Sequence, residues 1–443
     1  MTLALASVAS GSVFARCEEH AGPREASPAP QRGEAPVEWQ APIEVAHGPA
    51  RAGPWRMNES SFLYVDDGTV ALANGMIGLA WVDNTRKDVM FRTYDEHGRS
   101  EHAAVNVSQS PAVFSWLPRV ILAEGRVFMV WQEIVFSGGS HGGDIFFARS
   151  DDGGRSFGAP VNLSNSKAGD GKGQITREHW HNGSLDLRLL AEGALVTAWT
   201  AYEGSLFVSR SEDAGSTWSP PVDVPRGDRL PARAPALAAA GRGALYLAWS
   251  VGLDPSAGIR LAHSTDGGRT FGSPSIIRQG TGYADAPKLA VDAAGTLHLA
   301  YTTSLAGFFG PYEVCYTRSI TPGNFESPRV LAGPPHGDHG ASFPALALDR
   351  RGNVYLAWEH HPDSRGQARG LGFSYSHDGG DSFTRPTMVP GTAASELGVN
   401  GSRQGKLSEK LGISPAGGVA VVDTRFHDGE RSVVRLITGR LRN

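Results

Sequence analysis

Short apolar runs separated by glycine-rich and proline-rich turns dominate this chain. One kind of run recurs seven times: GLAWVD, FMVWQE, LVTAWTA, LYLAWSV, LHLAYTT, VYLAWEH and VAVVDTR. Each is preceded by a second apolar run and a glycine turn, as in LAVDAAG before LHLAYTT. Near-continuous apolar runs of this length are typical of strands buried on both faces. The pattern therefore predicts an all-β chain built from seven similar units.

A polar turn that ends in an aromatic residue follows a third apolar run in four of the units. Its copies are Ser150–Phe157, Ser211–Trp218, Ser264–Phe271 and Ser376–Phe383. The carboxylates in these turns can accept hydrogen bonds from turn N–H groups, and the glycines allow backbone angles that other residues resist. We expect structural roles for the four carboxylates, which are Asp152, Asp213, Asp266 and Asp378.

This turn resembles the Asp-box repeat of the bacterial neuraminidases, S-x-D-x-G-x-[ST]-[WF]. The resemblance implies a β-propeller, a ring in which each repeat forms one four-stranded blade. It says little about activity, because the turn is shared by enzymes and by binding propellers.

The repeat count favours seven blades, with six as the alternative because the first unit is the least regular. The last unit has no outer strand of its own. The N-terminal segment VEWQAPIEV has the W-x-x-P-x-x-V pattern of the tails that follow the Asp-box turns. We therefore predict that this segment supplies the outer strand of the last blade and closes the ring, which removes an open sheet edge.

The chain divides into three parts by composition. Residues 1–17 are small and apolar like a secretory leader but lack a basic start, so an ordinary disordered terminus or a misassigned start are alternatives. Residues 18–36 are rich in Pro, Glu and Ala, which is typical of a flexible linker. Residues 37–443 form a single propeller domain. On this division we expect a secreted or periplasmic protein.

Charge and composition exclude several partners. The 41 basic and 45 acidic residues give a net charge of −4, so we expect no nucleic acid. No run approaches the roughly 18–20 apolar residues of a membrane span, so we expect no transmembrane segment. The two cysteines are Cys17 in the leader and Cys315 in a strand pattern, and we expect no structural disulfide. The scattered loop histidines are expected to be solvated, and we expect no metal and no cofactor.

The face of the ring opposite the Asp-box turns is the expected site of function. Loops from several blades converge there around the central channel. Three insertions break the regular spacing in these loops, at Glu133–Gly143, Ser164–Asn182 and Glu359–Gly370. Long irregular loops on a rigid scaffold are often functional.

The Asp-box units resemble the sialidase superfamily over residues 37–443. Its enzymes hold a substrate carboxylate with three arginines, use a Tyr activated by a Glu as nucleophile, and use an Asp as acid and base. Arginine forks suit carboxylates, and a Tyr nucleophile is a known variant among glycosidases. Carried onto this chain, the resemblance suggests substrate-binding and catalytic residues, namely Arg56, Arg86, Arg233 and Arg403, and Asp88, Glu133 and Tyr283.

The chain departs from the superfamily pattern at two of these positions. Arg56 lies in Trp55-Arg56-Met57-Asn58, which lacks the proline of the family's F/Y-R-I-P segment. No tyrosine follows Tyr375, where the family places its nucleophile, so Tyr283 or Tyr312 would have to serve. Alternatives also remain for three other residues: Asp83 for Asp88, Glu178 for Glu133, and Arg229 for Arg233.

Two functional hypotheses follow. The first is an exported, sialidase-like glycoside hydrolase that acts on an anionic glycan at the channel mouth. The second is a non-catalytic propeller that binds a glycan, a protein partner or a metal. The repeats support both, and a carbohydrate ligand is the expectation common to them.

Overall fold

The computed structural model describes residues 37–54, 58–135, 143–166, 169–175, 180–182, 184–241, 243–308, 310–321, 323–336, 340–363, 366–401 and 408–442. They form seven antiparallel sheets in a ring; in the first six the strands follow chain order from the axis outward, and in the seventh the outermost strands come from the start of the described chain. The inner strand of every sheet contacts the inner strands of both neighbours, including the last and the first. The prediction of an all-β, seven-bladed propeller is therefore confirmed.

The first four blades follow the repeat closely. Blade 1 contains β3 (Val65–Ala73), β4 (Met76–Asp83), β5 (Asp88–Asp95) and β6 (Val105–Asn106), and blade 2 contains β7 (Ser115–Ala123), β8 (Arg126–Glu133), β9 (Asp144–Ser150) and β10 (Val161–Asn162). Blade 3 contains β13 (Leu185–Leu189), β14 (Leu195–Thr200), β15 (Leu206–Ser211) and β16 (Val222–Asp223). Blade 4 contains β17 (Ala232–Ala240), β18 (Ala244–Val251), β19 (Ala257–Ser264) and β20 (Ser275–Gly280). The insertion between blades 2 and 3 contributes a hairpin of β11 (Lys172–Gln174) and β12 (Trp180–Asn182) that contacts β17.

The last three blades carry the irregular features. Their strands are β21 (Tyr283–Val291), β22 (Leu297–Ser304), β23 (Glu313–Thr321), β24 (Asn324–Phe325) and β25 (Arg329–Ala332); β26 (Gly340–Leu348), β27 (Val354–His361), β28 (Leu371–Ser376) and β29 (Thr387–Met388); and β30 (Val399–Asn400), β31 (Leu411–Ile413), β32 (Gly418–His427) and β33 (Arg431–Leu441). Two short 3-10 helices lie at Pro334–His336 and Ser395–Leu397.

The N-terminal segment closes the ring as predicted. Strands β1 (Val37–Trp39) and β2 (Ile43–Gly48) both pair antiparallel with β33, so that blade 7 combines the two ends of the described chain. Trp39 packs edge-on against Phe373 of blade 6, with ring centroids 5.5 Å apart. The closing strand is therefore anchored both by its ladder and by an aromatic contact.

The hydrophobic core lies between the blades. The aromatic residue of each second strand is buried, and Trp131, Trp199 and Trp249 have no exposed surface. Burial of side chains this large is the main favourable term in folding such sheets together.

The four Asp-box turns share one hydrogen-bond pattern. In blade 4, Ser264 Oγ donates to Asp266 Oδ1 at 2.7 Å, and Thr270 donates to both carboxylate oxygens through its N–H (2.9 Å) and its Oγ1 (2.6 Å). Equivalent serine and threonine groups of the other three turns donate to Asp152, Asp213 and Asp378 in the same way. The carboxylate thus satisfies the backbone and hydroxyl groups of a turn that forms no ladder.

The aromatic residue of the Asp-box turn joins neighbouring blades. Phe157 of blade 2 packs edge-on against Phe91 of blade 1 at 5.4 Å. Gly154 has a φ of +88°, and a Cβ at this position would lie 2.3 Å from the Phe91 ring. Equivalent contacts join blades 2 and 3 and blades 5 and 6, through Trp218 and Phe147 and through Phe383 and Tyr316. The glycine of the box is therefore required by a close approach as well as by its backbone angle.

Five inner strands carry the same β-bulge near the channel mouth. In each, a non-glycine residue with positive φ precedes a proline or glycine, and the register to the second strand shifts there. The five residues are Asp67, Leu117, Ala234, Ala286 and Phe343. The N–H of Leu117 donates to Asp67 Oδ2 of the preceding blade at 3.2 Å, and that of Phe343 donates to Thr302 Oγ1 at 2.7 Å. These bonds hold the bulges and link the blades.

The expectations about a disulfide and about a transmembrane segment can be compared with the described residues. Cys315 is buried in β23 and is disulfide-bonded, so the expectation of no disulfide is wrong; Cys17, the other cysteine of the sequence, lies outside the described residues. Among the described residues, no helix is long and apolar enough to cross a membrane. The leader and linker proposed for residues 1–36 also lie outside the described part.

Candidate functional site

The strongest cluster of chemically active side chains lies where blades 4 and 5 meet at the mouth. Tyr283 donates its phenol proton to Asp285 Oδ2, and Arg233 Nε lies 3.4 Å from the same oxygen. The Arg233 guanidinium also sits over the Tyr283 ring, 5.6 Å from its centroid. The structure therefore brings together two of the predicted site residues, which are 50 positions apart in sequence, and joins them through a carboxylate.

The local fold explains why these three groups meet. Arg233 and Asp285 each precede the bulge residue of their inner strands, so the same irregularity in adjacent blades turns both toward one contact. All three residues have no exposed surface. Burial, followed by the charge of Asp285, raises the pKa of Tyr283 well above its usual value of 10, so the phenol is neutral at rest.

A chain of aromatic contacts leads from Tyr283 to blade 6. The Tyr283 ring packs against Tyr312 at 5.9 Å, and Tyr312 packs against the His361 ring at 5.7 Å. His361 Nε2 lies 2.8 Å from Ser342 Oγ, and its Nδ1 lies 3.1 Å from the carbonyl oxygen of Gly366. The two ring nitrogens thus bridge the start of the inner strand of blade 6 to the loop after β27.

Three cations from different blades converge deeper in the channel. Lys288 Nζ lies 2.8 Å from Glu409 Oε1, and Arg188 Nη2 lies 3.8 Å from the same oxygen. Although burial alone would raise it, the charges of Lys288, Arg188 and Arg119 lower the pKa of Glu409 to about 2. Glu409 is therefore ionised near neutral pH, and its charge neutralises part of the positive charge of these three side chains.

A second ionic network lies between blades 6 and 7. Lys410 and Asn400 both donate to the carboxylate of Glu359, which has no exposed surface. Asn400 in turn accepts from Arg425, which is ion-paired with Asp423. Burial lowers the pKa of Lys410 to about 8.

A cleft of this face lies beside that network, between blades 6, 7 and 1. It has a volume of about 720 Å³, and its wall includes Phe62, Tyr64, Gln367, Arg369, Phe426 and His427. The loop after β27, which contains Gly366, also lines it. The cleft is therefore connected through His361 and Tyr312 to the Tyr283 cluster.

Asp88 and Glu133 lie in a joint that the chain repeats. Asp88 accepts from Asn106 (2.7 Å) and from Ser108 Oγ (2.8 Å), and Ser110 bridges Asp88 to Glu133. Trp131 Nε1 donates to Glu133 at 2.9 Å, and burial raises the pKa of Glu133.

The next blade boundary contains the same arrangement. Asp144 accepts from Asn162 at 2.7 Å and from the Ser166 N–H at 2.8 Å, while Trp199 Nε1 donates to Asp170 at 2.8 Å. Because the same hydrogen-bond arrangement occurs at two successive blade boundaries, a structural role explains it: it holds the segment after the outer strand of one blade against the next blade. The assignment of Asp88 and Glu133 as catalytic residues stays a prediction.

Arg86, another predicted arginine, does not lie in the Tyr283 cluster. Arg86 lies in the turn between β4 and β5, where its side chain is 64% exposed and its Nε is 3.5 Å from Asp83. Arg56 and Arg403 lie outside the described residues. Within the described part of the chain, no group of three or more His, Cys, Asp or Glu residues is arranged to hold a metal ion.

Sequence reasoning missed several residues of the mouth and channel. They are Arg119, Asp186, Arg188 and Ser342. A signal for some of them exists: the inner strands contain LPR, APA, APK and FPA, and a proline in a buried strand marks a bulge. The residues that flank these prolines include Arg119, Lys288 and Ser342.

Comparison with known proteins places the chain by fold. No family model and no curated protein matches the sequence. A solved family PL25 polysaccharide lyase, an ulvan lyase bound to -[GlcA(1-4)Rha3S]-, superposes with a TM-score of 0.56 at 13% identity over 89% of this chain and 95% of its own. The polysaccharide lyase Uly1 gives a TM-score of 0.54 at 12% identity over 92% of this chain and 100% of its own.

A mutant of the Trypanosoma rangeli sialidase that displays trans-sialidase activity also matches. Its TM-score is 0.42 at 12% identity, over 72% of this chain and 56% of its own. The likeness to the two lyases is one of fold alone, and it agrees with the propeller fold that the Asp-box resemblance implied.

Proposed function

We propose that this propeller binds an anionic glycan at the channel mouth and cleaves it with Tyr283. The observation that carries the proposal is the contact of Tyr283 with Asp285, with Arg233 beside both. A carboxylate that accepts the phenol proton is the arrangement a tyrosine nucleophile needs, and a nearby guanidinium suits an anionic substrate. Support also comes from the neighbours in fold, two of which are polysaccharide lyases.

The chemistry can be written for a hydrolase. The phenol proton passes to Asp285 while Tyr283 Oη attacks the anomeric carbon, and the glycosidic bond breaks as the leaving oxygen takes a proton from a water molecule, which becomes hydroxide. The hydroxide then attacks the anomeric carbon of the tyrosyl glycoside, and the departing phenolate takes its proton back from Asp285. Since the raised pKa keeps Tyr283 neutral at rest, proton transfer to Asp285 has to accompany the attack.

The test is an activity panel with the full chain. A fluorogenic sialoside, polysialic acid and ulvan are incubated with wild type, Tyr283→Phe and Arg233→Lys, and with Tyr375→Phe as a matched control in the Asp-box strand of blade 6. New reducing ends without ultraviolet absorbance indicate hydrolysis, and an absorbing unsaturated product indicates a lyase.

We expect Tyr283→Phe to lose roughly 100-fold or more in turnover, because it removes the reacting oxygen. Tyr375→Phe should keep wild-type turnover. Wild-type turnover in Tyr283→Phe, with circular dichroism unchanged, would overturn the catalytic proposal.

A second candidate function is a binding propeller without catalysis. It is favoured by one observation: Tyr283, Asp285 and Arg233 have no exposed surface, and Tyr312 and Phe308 pack against the Tyr283 ring. In that case the same panel shows glycan binding in wild type but no product with any substrate.

We also propose that the protein is exported. The apolar leader-like start supports this. Cell fractionation followed by mass determination of the mature N-terminus tests it. A full-length protein in the cytoplasmic fraction would contradict export.

A further inference from the structure

The cleft between blades 6, 7 and 1 has a lining that alternates apolar and hydrogen-bonding surface. Phe426 and Phe62 are half-buried in its wall, and Gln367 and Arg369 are exposed at its edge. A cleft of about 720 Å³ in which polar side chains alternate with apolar walls has the size of a small-molecule or oligosaccharide site.

The aromatic residues of the cleft belong to a row that crosses three blades. The Phe426 ring meets Tyr64 edge-on at 5.9 Å, and Tyr64 lies 5.9 Å from Phe62. Phe62 lies 6.3 Å from Phe114, which stacks on Trp116 at 5.6 Å. The contacts fix the orientation of Phe426, so its ring is a preorganised wall rather than a mobile side chain.

The charges of the cleft argue against a strongly charged occupant. The wall contains the cation Arg369 beside the carboxylates of Asp363 and Asp428, together with the imidazole of His427. A polyanion or a basic peptide would therefore meet charges of both signs. A sugar ring fits better, because it offers an apolar C–H face to an aromatic ring and hydroxyl groups to the charged and amide side chains.

The cleft is also connected to the Tyr283 cluster. The carbonyl of Gly366 in its wall is bonded to His361, whose ring contacts Tyr312, which contacts Tyr283. The cleft therefore lies on the same face of the ring as Arg233, and a glycan that continues across this face from the mouth would reach it.

We propose that the cleft is a subsite for two or three uncharged sugar residues of the glycan that occupies the channel mouth. The inference rests on the proposed function for the identity of the glycan. It adds that affinity for a polymer depends on Phe426 and the cleft, whereas affinity for a short ligand does not.

Binding, rather than turnover, tests this subsite. Dissociation constants are measured with the full chain for two polymers that carry isolated anionic residues on neutral sugars, a sialylated poly-N-acetyllactosamine and a glucuronoxylan, and for the anionic disaccharide of each. The variants are Phe426→Ala and Phe426→Trp, together with Gln367→Ala and Arg369→Ala, whose exposed side chains leave the fold intact. Ile320→Ala, a 65% exposed apolar residue of blade 5, is the matched control.

Phe426→Ala should weaken binding of the recognised polymer about tenfold or more and leave disaccharide binding within about twofold. Phe426→Trp should retain binding, Gln367→Ala and Arg369→Ala should weaken polymer binding about two- to threefold each, and Ile320→Ala should have no effect. Equal polymer binding by all variants overturns the inference, as does a wild type that binds none of the polymers. So does a Phe426→Ala protein whose only change is a different mass in solution, since the cleft would then be a contact between copies.

Failure of the proposed function would look different. A wild type that binds a polymer through Phe426 but forms no product would overturn catalysis by Tyr283 and leave the subsite in place.

Discussion

The carboxylates of the Asp-box turns and those of the channel mouth are the same chemical group in opposite surroundings. Asp213 and Asp266 sit at the surface; hydrogen bonding from Thr217 holds the pKa of Asp213 near 2, and Thr270 does the same for Asp266 against the opposing effect of partial burial. At the mouth, burial and then the charge of Asp66 raise the pKa of Asp67 to about 8. Burial likewise raises the pKa of Asp170 to about 6.

The comparison shows that one fold uses carboxylates in two ways, as turn acceptors on one face and as buried groups on the other. On the box face a carboxylate organises a turn, and water and turn donors keep it ionised. At the mouth a carboxylate is removed from water, so its state depends on whether a cation is near, as the low pKa of Glu409 among three cations makes plain. Perturbed groups of this kind concentrate where chemistry is done.

The largest expected effect comes from breaking a buried ion pair of the mouth. Glu359→Gln leaves the Lys410 ammonium without its main partner in a site from which water is excluded. We expect the free energy of unfolding to fall by about 3–5 kcal/mol, measured with urea at pH 7. Because burial lowers the pKa of Lys410 to about 8, the loss should shrink at higher pH as the amine becomes neutral.

An exposed ion pair supplies the control for that experiment. Glu44 and Arg431 lie 2.8 Å apart with side chains 44% and 53% exposed. Glu44→Gln should change stability by less than about 1 kcal/mol. Equal losses in the two variants would contradict the contrast between the mouth and the outer surface.

On the box face, Asp266→Ala should have a smaller effect. It removes the acceptor for three donors, two of them from Thr270, but water can replace much of what is lost at an exposed turn. We expect a loss of about 1–2 kcal/mol in urea unfolding. The exposed Asp223→Ala should change stability by less than about 0.5 kcal/mol, and a similar loss in both variants would remove the special role of the box.

The two faces should also respond to pH in opposite directions. Asp67 has a raised pKa in the fold, so the stability it contributes is present below about pH 4 and is lost as pH rises through 8. Asp67→Asn should therefore gain stability relative to wild type between pH 4 and 8. Asp266 has a lowered pKa, so its contribution is lost as pH falls from 4 to 2, and Asp266→Asn should gain relative to wild type in that window. Parallel profiles of unfolding midpoint against pH for both variants and wild type would refute the contrast.

The smallest expected effect concerns the repeated joint. Glu133→Gln and Asp170→Asn keep an oxygen that can accept from Trp131 and Trp199, so we expect stability changes of about 1 kcal/mol or less and unchanged glycan turnover in both. Loss of turnover in Glu133→Gln alone would identify Glu133 as catalytic and contradict the structural explanation of the joint.

Sequence reasoning could predict the architecture because the blade is a local unit. The second strands of successive blades lie 50 to 68 residues apart, and apolar periodicity reports burial directly. The missing outer strand of the last unit was sufficient to predict closure by the segment at Trp39.

The site was harder to predict because it is made between blades. The contact of Arg233 with Asp285 depends on matching bulges in two strands, and a bulge changes which way a side chain points without changing composition. The prediction that Asp88 and Glu133 are catalytic rests on the resemblance to the sialidase superfamily and not on a contact that the sequence alone reveals. Only the repetition at Asp144 and Asp170, seen in three dimensions, gives them another explanation.

Ring closure by β1 and β2 has a consequence for how the protein is made. The first strands to leave the ribosome are the last to find a partner, since β33 is synthesised about 380 residues later. At ordinary elongation rates that interval is roughly 20–80 s. Throughout it, the edges of six nascent sheets and an unpaired Trp39 segment coexist, so the amount of protein recovered from cells should depend on chaperones that shield the N-terminal segment during translation.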